Sequence, residues 1–230
     1  MNESRLEPSF DELRTGFTAS VSHELRTPLA RILALLESAD LPGADVKGLL
    51  DQARAEVENA GTLIDEILFL SELESGREVV ALGYTNALPV FEEVIAEHAD
   101  AAARAGVRLE AGGDPNVDLP LRPRMVQLLA ENLVENAIRY AGHGATFRLE
   151  AATGDGTVIL SGGDDGPGVA EADLPRLFER FWRADTARAS RGTGLGLAIV
   201  KHVTAAAGGR IEARSAPGEG LTVRCVFPAA

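Results

Sequence analysis

Hydrophobic positions in the first third of the chain recur at helical spacing. At about 100° per residue, Phe10, Leu13, Phe17, Val21, Leu25, Ile32 and Leu36 share one face of a helix over residues 9 to 39. Asp40-Leu41-Pro42-Gly43 ends the pattern, with Pro and Gly as breakers. A second helix follows, from about Asp45 to Leu73. In it Val46, Leu50, Ala53, Val57, Ala60, Ile64 and Ile67 step alternately by four and three, the spacing of a coiled-coil seam. One hairpin has too little partner surface to bury two apolar stripes, whereas two hairpins pair into a four-helix bundle. The pattern therefore predicts a homodimer through residues 9–73.

Glu74-Ser75-Gly76-Arg77 marks the boundary, giving a helical domain over 1–74 and a second domain over 75–230. The second reads as mixed α/β. Helices are expected at Leu88 to Arg104, Arg124 to Tyr140 and residues 195–207. Strands are expected at Val107 to Glu110, 145–152, 156–161, 209–214 and 220–227, with Gly154-Asp155-Gly156 as a hairpin turn. That order suggests a two-layer α/β sandwich with mostly antiparallel pairing.

Composition adds exclusions. Of the net charge of −13, residues 1–75 carry −9, from fifteen acidic and six basic side chains. Direct nucleic-acid binding normally needs a basic face and is disfavoured. The acidity reads as a solvated helical surface that favours solubility. The single cysteine, Cys225, excludes an intrachain disulfide and falls on the Leu221-Val223-Cys225-Phe227 face of a strand, as a buried thiol. No apolar run approaches the roughly 20 residues of a membrane span, and no signal peptide is evident. The expectation is a chain of cytoplasmic character, or the cytosolic portion of a membrane-bound sensor.

His23 lies near the pole opposite the apolar face of the first helix, followed by Glu24, with Thr27 one turn further on the same side. An imidazole in water beside a carboxylate is a potential nucleophile; the plain alternative is a solvated surface histidine. Pro28 removes a backbone N–H in mid-helix and should bend it beside His23.

Four further segments carry chemistry. Asn132 and Asn136 share a helix face, and amide oxygens are suitable neutral ligands for Mg²⁺. Arg139 could reach a phosphate. In Asp164-Asp165-Gly166-Pro167-Gly168-Val169, glycines permit a tight turn and close backbone approach, and Asp164 could accept a hydrogen bond from an adenine amino group. Gly162 and Gly163 before it suggest a loosened strand end and a lower nucleotide affinity. The aromatic run Leu177-Phe178-Glu179-Arg180-Phe181-Trp182-Arg183 is either core packing or an anchor for a lid or for docking onto the bundle. Gly192-Thr193-Gly194-Leu195-Gly196-Leu197 opens a helix, where backbone N–H groups and the helix dipole favour anionic oxygens. His98, His143 and His202 lack metal-site spacing and read as surface residues.

Ser22 to Leu29 resembles the H-box of sensor histidine kinases, and the later segments resemble the N, G1, F and G2 boxes in the same order. Pro217-Gly218-Glu219-Gly220 resembles a final glycine box. The resemblance implies a dimerisation and phosphotransfer domain followed by the ATP-binding domain shared with gyrase, Hsp90 and MutL. It implies autophosphorylation of His23 by ATP·Mg²⁺, with Glu24 as its hydrogen-bonding partner. Transfer to an aspartate of a response regulator follows, and Glu24 with Thr27 would serve dephosphorylation of that regulator. It assigns Mg²⁺ to Asn136. Nucleotide contacts are implied for Asn132, Arg139, Tyr140, Asp164, Gly166, Gly168, Arg180, Gly192, Thr193, Gly194, Leu195, Gly196 and Leu197, with Ala184 to Arg191 as the lid. The rivals are an ATPase or serine kinase of the same superfamily, and a non-catalytic dimeric scaffold. Hydrolysing relatives place a glutamate base where this chain has Asn132, and an amide takes no proton at neutral pH.

Overall fold

The computed structural model describes residues 10–75, 83–184 and 192–229, with side chains from Val21 onward. Phe10, Leu13 and Phe17 of the expected apolar face, and residues 185–191 of the expected lid, lie outside the described side chains or residues. The chain divides into two compact units, Met1–Phe69 and Leu70–Ala230.

The first unit is a helical hairpin of α1 (Phe10–Ala39) and most of α2 (Val46–Glu74), whose residues from Leu70 on belong to the second unit. Asp45 stops the turn, its Oδ1 accepting the backbone N–H of Gly48 at 3.1 Å in the manner of an N-cap. The helices run antiparallel, and Arg31 of α1 reaches Glu56 of α2 at 3.6 Å. Glu56 is buried, with Ala53 and Leu63 on the same side of α2. The seam expected along α2 is in fact two stripes. Ala53 turns inward, while Val46, Leu50, Val57 and Ile64 are exposed. Leu68 extends that outer stripe, and Leu29, Leu33 and Leu36 expose apolar surface on α1. A helix whose apolar positions sum to more than one stripe can serve an internal partner and still present a second apolar side.

The second unit carries a five-stranded sheet in the order β2-β4-β5-β7-β6, from β2 (Arg108–Gly113), β4 (Thr146–Gly154), β5 (Thr157–Asp164), β6 (Arg210–Ser215) and β7 (Leu221–Pro228). Only β2–β4 is parallel; the other pairs are antiparallel, as the sequence pattern suggested. α3 (Ala87–Ala105), α4 (Pro123–Tyr140) and α5 (Gly196–Ala206) pack together and on the sheet. Phe91, Leu129, Leu149, Leu160, Ile199 and Phe227 are among the fully buried side chains of this core. A two-stranded sheet pairs β1 (Thr85–Asn86) with β3 (Asp118–Leu119) ahead of α4. Between β4 and β5, Asp155 and Gly156 both adopt positive φ (46° and 72°), the geometry of a type I′ hairpin turn.

β5 is the central strand, and it does not loosen at Gly162-Gly163. Gly162 pairs with Leu149 and Val223, and Gly163 with Arg148 and Thr222. A Cβ on Gly162 would lie 2.9 Å from the Phe147 ring and 3.2 Å from Leu133 of α4. The missing side chain is thus space taken by Phe147 and by the helix that carries Asn132 and Asn136. Gly162→Val should overpack this contact and destabilise the second unit by about 1–3 kcal/mol. Gly154→Ala, where a Cβ meets nothing within 4 Å, should leave the thermal midpoint nearly unchanged; calorimetry of both variants checks the contrast.

Candidate functional site

His23 stands on α1 with its side chain 76% exposed, and its Nδ1 lies 3.8 Å from Glu24 Oε1. That separation is beyond a hydrogen bond, but both side chains are adjacent and free to rotate. Nδ1 is the nitrogen turned to the carboxylate. Thr27 Oγ1 donates to the His23 carbonyl at 3.4 Å, so its hydroxyl lies over the turn that carries His23. The helix continues through Pro28 to Ala39.

The other expected residues gather at the C-terminal half of α4, and glycines bring them together. Gly166, in the turn after β5, approaches the Ala141 backbone so closely that a Cβ would overlap the Ala141 carbonyl. A Cβ on Gly192 would stand 3.1 Å from the Tyr140 hydroxyl and 3.3 Å from Arg139. A Cβ on Gly196, the first residue of α5, would stand 2.6 Å from Asn132 Oδ1. Backbone therefore comes within van der Waals reach of four expected side chains or their flanks, which only glycine allows. Asn132 Nδ2 donates to the Leu128 carbonyl at 2.8 Å, which leaves its Oδ1 turned toward Gly196. Arg139 is held by Glu135 at 3.1 Å, one turn back on the same helix.

Asp164 ends β5 half-buried. Its Oδ1 accepts the backbone N–H of Gly166 at 2.9 Å and of Leu221 at 3.4 Å. Burial holds its carboxyl above the usual aspartate range, and those two N–H donors only partly offset it. Asp165 does different work: its Oδ1 accepts the Thr146 N–H at 2.6 Å and closes the end of β4. Gly168 has φ of +70° and packs against the Ala216 and Gly220 carbonyls.

The aromatic segment is tied to the second glycine loop. Phe181 takes φ of +62°, rare for a bulky residue, and its N–H donates to the Gly194 carbonyl at 2.9 Å. Thr193 Oγ1 accepts the Leu195 N–H at 3.2 Å. Leu195 is fully buried and Leu197 half-buried, so these two shape the loop from beneath. Arg180 is half-buried, with Nη2 3.4 Å from His202 Nε2 of α5. Burial lowers the basicity of Arg180, and burial first and Arg180 second lower that of His202. His202 is thus not a surface residue, and neither is His98, which is half-buried with Nδ1 2.9 Å from the Val94 carbonyl. His143 is exposed. Cys225 is buried, and burial pushes its thiol up to about 11.

This arrangement suits an anionic ligand and an oxygen-preferring cation. Half-buried amide groups of Asn132 and Asn136 share one side of α4, and the described residues hold no cluster of three His, Cys, Asp or Glu for a metal. A cation here would depend on amide and ligand oxygens, which fits Mg²⁺.

Two family models match in tandem. His Kinase A (phospho-acceptor) domain covers residues 13–76. Histidine kinase-, DNA gyrase B-, and HSP90-like ATPase covers residues 122–230. Sensor-like histidine kinase SenX3 of Mycobacterium tuberculosis is 34% identical over 222 residues, covering 94% of this chain and 54% of that protein. Phosphate regulon sensor protein PhoR of Pseudomonas aeruginosa is 35% identical over 224 residues, covering 94% and 50%. The chain spans about half the length of the curated relatives it matches. Histidine kinase AdeS of Acinetobacter baumannii superposes with a TM-score of 0.74 at 24% identity, covering 89% of this chain and 98% of that one. Histidine kinase ThkA, solved in complex with response regulator protein TrrA, gives 0.69 at 20% identity, covering 94% and 61%.

The raised Asp164 carboxyl sets a pH dependence. It takes up a proton at a higher pH than an ordinary aspartate, so an adenine held by the carboxylate should weaken as pH falls through that raised range. Folding stability moves the opposite way, because the folded state binds the extra proton and gains as pH falls. Titration of a fluorescent ATP analogue against pH should show this loss in the native protein, and Asp164→Asn should flatten the profile.

Proposed function

We propose for this chain, which belongs to the sensor histidine kinase family, that ATP bound in the α/β unit phosphorylates His23, and that His23 passes the phosphoryl group to an aspartate of a response regulator. The observation that carries the reading is the exposed His23 imidazole, 76% open to solvent, inside the residues matched to a phospho-acceptor domain. The regulator as partner is supported by the likeness to ThkA, which was solved with one.

Glu24 faces Nδ1, so Nε2 is the nitrogen left for attack. In the proposed step His23 Nε2 forms a P–N bond while the bond from the γ-phosphorus to its bridging oxygen breaks, leaving ADP. Glu24, once rotated into hydrogen-bond reach, holds the Nδ1 proton and stabilises the charge that develops on the ring. Thr27 and Glu24 lie on one side of α1, where they would orient a water during regulator dephosphorylation. In the α/β unit, Asp164 offers its second carboxylate oxygen to the adenine amino group, and Tyr140 lies beside the base. Gly192, Gly194 and Gly196 let loop N–H groups meet the phosphates without side chains between. Arg139 would exchange Glu135 for a phosphate oxygen. Asn136, with Asn132, would hold Mg²⁺, which when bound neutralises phosphate charge in the transition state.

Hydrolysis fits less well. Asn132 is no base, Glu131 is bonded to Gln127 at 2.9 Å, and Glu135 to Arg139 at 3.1 Å. The exposed Val46, Leu50, Val57, Ile64 and Leu68 stripe supports pairing with a second hairpin as a four-helix bundle. The linker near residue 75 is read as the boundary between the phosphotransfer and ATP-binding domains.

Two measurements decide the reading. With γ-labelled ATP the native protein should acquire acid-labile, base-stable label, and His23→Gln none; label surviving in His23→Gln sinks the assignment. Light scattering should give a dimer at micromolar concentration for the native chain, and Leu50→Asp with Ile64→Asp should give monomer.

A further inference from the structure

The turn between β6 and β7 is bonded to the Asp164 loop at four points, and one further bond closes the turn on itself. The Ser215 hydroxyl accepts the Val169 N–H at 2.7 Å and donates to the Gly220 carbonyl at 2.5 Å. Gly220 N–H donates to the Gly166 carbonyl at 3.0 Å, and Gly218 N–H to the Pro167 carbonyl at 2.7 Å. Leu221 N–H reaches Asp164 Oδ1 at 3.4 Å. Gly168 and Gly220, with φ of +70° and +74°, leave no room for a Cβ between the two loops.

We propose that Ser215 is a positioning residue for nucleotide binding: through its hydroxyl it fixes the Asp164–Val169 loop against the β6–β7 turn and so sets which carboxylate oxygen of Asp164 faces the base. The inference rests on the reading of Asp164 as the adenine contact. Ser215 touches no reacting atom. Its hydroxyl is the one side-chain group in these contacts besides the Asp164 carboxylate itself; the rest is backbone. One lone pair takes the proton of Val169, beyond the loop, and its own proton goes to Gly220, one residue before the N–H that occupies Asp164 Oδ1. Both ends of the loop are therefore referenced to one oxygen atom. With Oδ1 occupied by Gly166 and Leu221, the other oxygen is the one presented to a ligand. Without the hydroxyl, Val169 N–H and the Gly220 carbonyl lose their partner together, the turn can shift, and Asp164 is freed to rotate.

The test uses the full chain and three proteins: native, Ser215→Ala and Ser215→Thr, the last keeping the hydroxyl. Amide hydrogen exchange is followed without nucleotide, and autophosphorylation is followed against ATP concentration. Ser215→Ala should exchange about tenfold faster at Val169, Gly220 and Leu221 than the native chain, the effect of losing about one hydrogen bond, while α3 and β4 stay protected. Its KM for ATP should rise about tenfold with kcat within twofold, and Ser215→Thr should restore both. Unchanged exchange at those amides overturns the proposal, as does acceleration spread evenly over the unit or a fall in kcat at constant KM. A native chain that binds no ATP would remove the adenine assignment of Asp164, while the exchange pattern would still decide whether Ser215 holds the loop.

Discussion

The candidate site in the second unit depends on backbone approaching backbone. Two loops, after β5 and before α5, close on α4 at distances where a Cβ would crowd it, and the turn between β6 and β7 closes in the same way on the loop after β5. Gly166 lies on Ala141, Gly196 on Asn132, Gly192 on Tyr140 and Arg139, and Gly168 on Ala216. A methyl group at any of these would push a loop outward and change the spacing between Asp164 and α4. Gly192, Gly194 and Gly196 carry no side chain over their own loop, which is a condition for gripping phosphate by backbone. Glycine costs conformational entropy on folding, and the five-stranded sheet offsets it by pairing β5 on both sides.

The helical unit solves a different problem. The hairpin keeps the His23 side chain in water. Its stability needs apolar burial, and one pair of helices offers too little. Two apolar stripes on α2 reconcile these needs: Ala53 and Leu63 serve the hairpin, while Leu50, Val57 and Ile64 stay available for another surface. Among the described residues, Glu37, Asp40, Asp45, Asp51, Glu58, Asp65 and Glu72 are exposed.

Much of this was legible in the sequence. Helix and strand limits follow periodicity and lie within a few residues of those observed, and the glycine-bearing segments stand out because glycine at fixed spacing has few other uses. Where the reading failed, the cause was tertiary. Gly162-Gly163 looked like weakness because a sequence records the absent side chain and not the Phe147 ring that fills its space. The α2 seam merged two stripes because alternating steps of four and three fit both apolar sides of one helix. His202 gave no signal at all; it meets Arg180, twenty-two residues earlier, only in the fold. Ser215 was equally silent, since a serine near a strand end carries no mark of the loop it will meet.

The Arg31–Glu56 contact has a mechanical consequence. Glu56 is buried and its charge needs a companion, and Arg31 supplies one from the opposite helix at 3.6 Å. A slide of α1 along α2 by a single turn, roughly 5.4 Å, would carry Arg31 out of reach of that carboxylate. The contact therefore ties the height of α1 to that of α2 at this level of the hairpin, eight residues along the chain from His23.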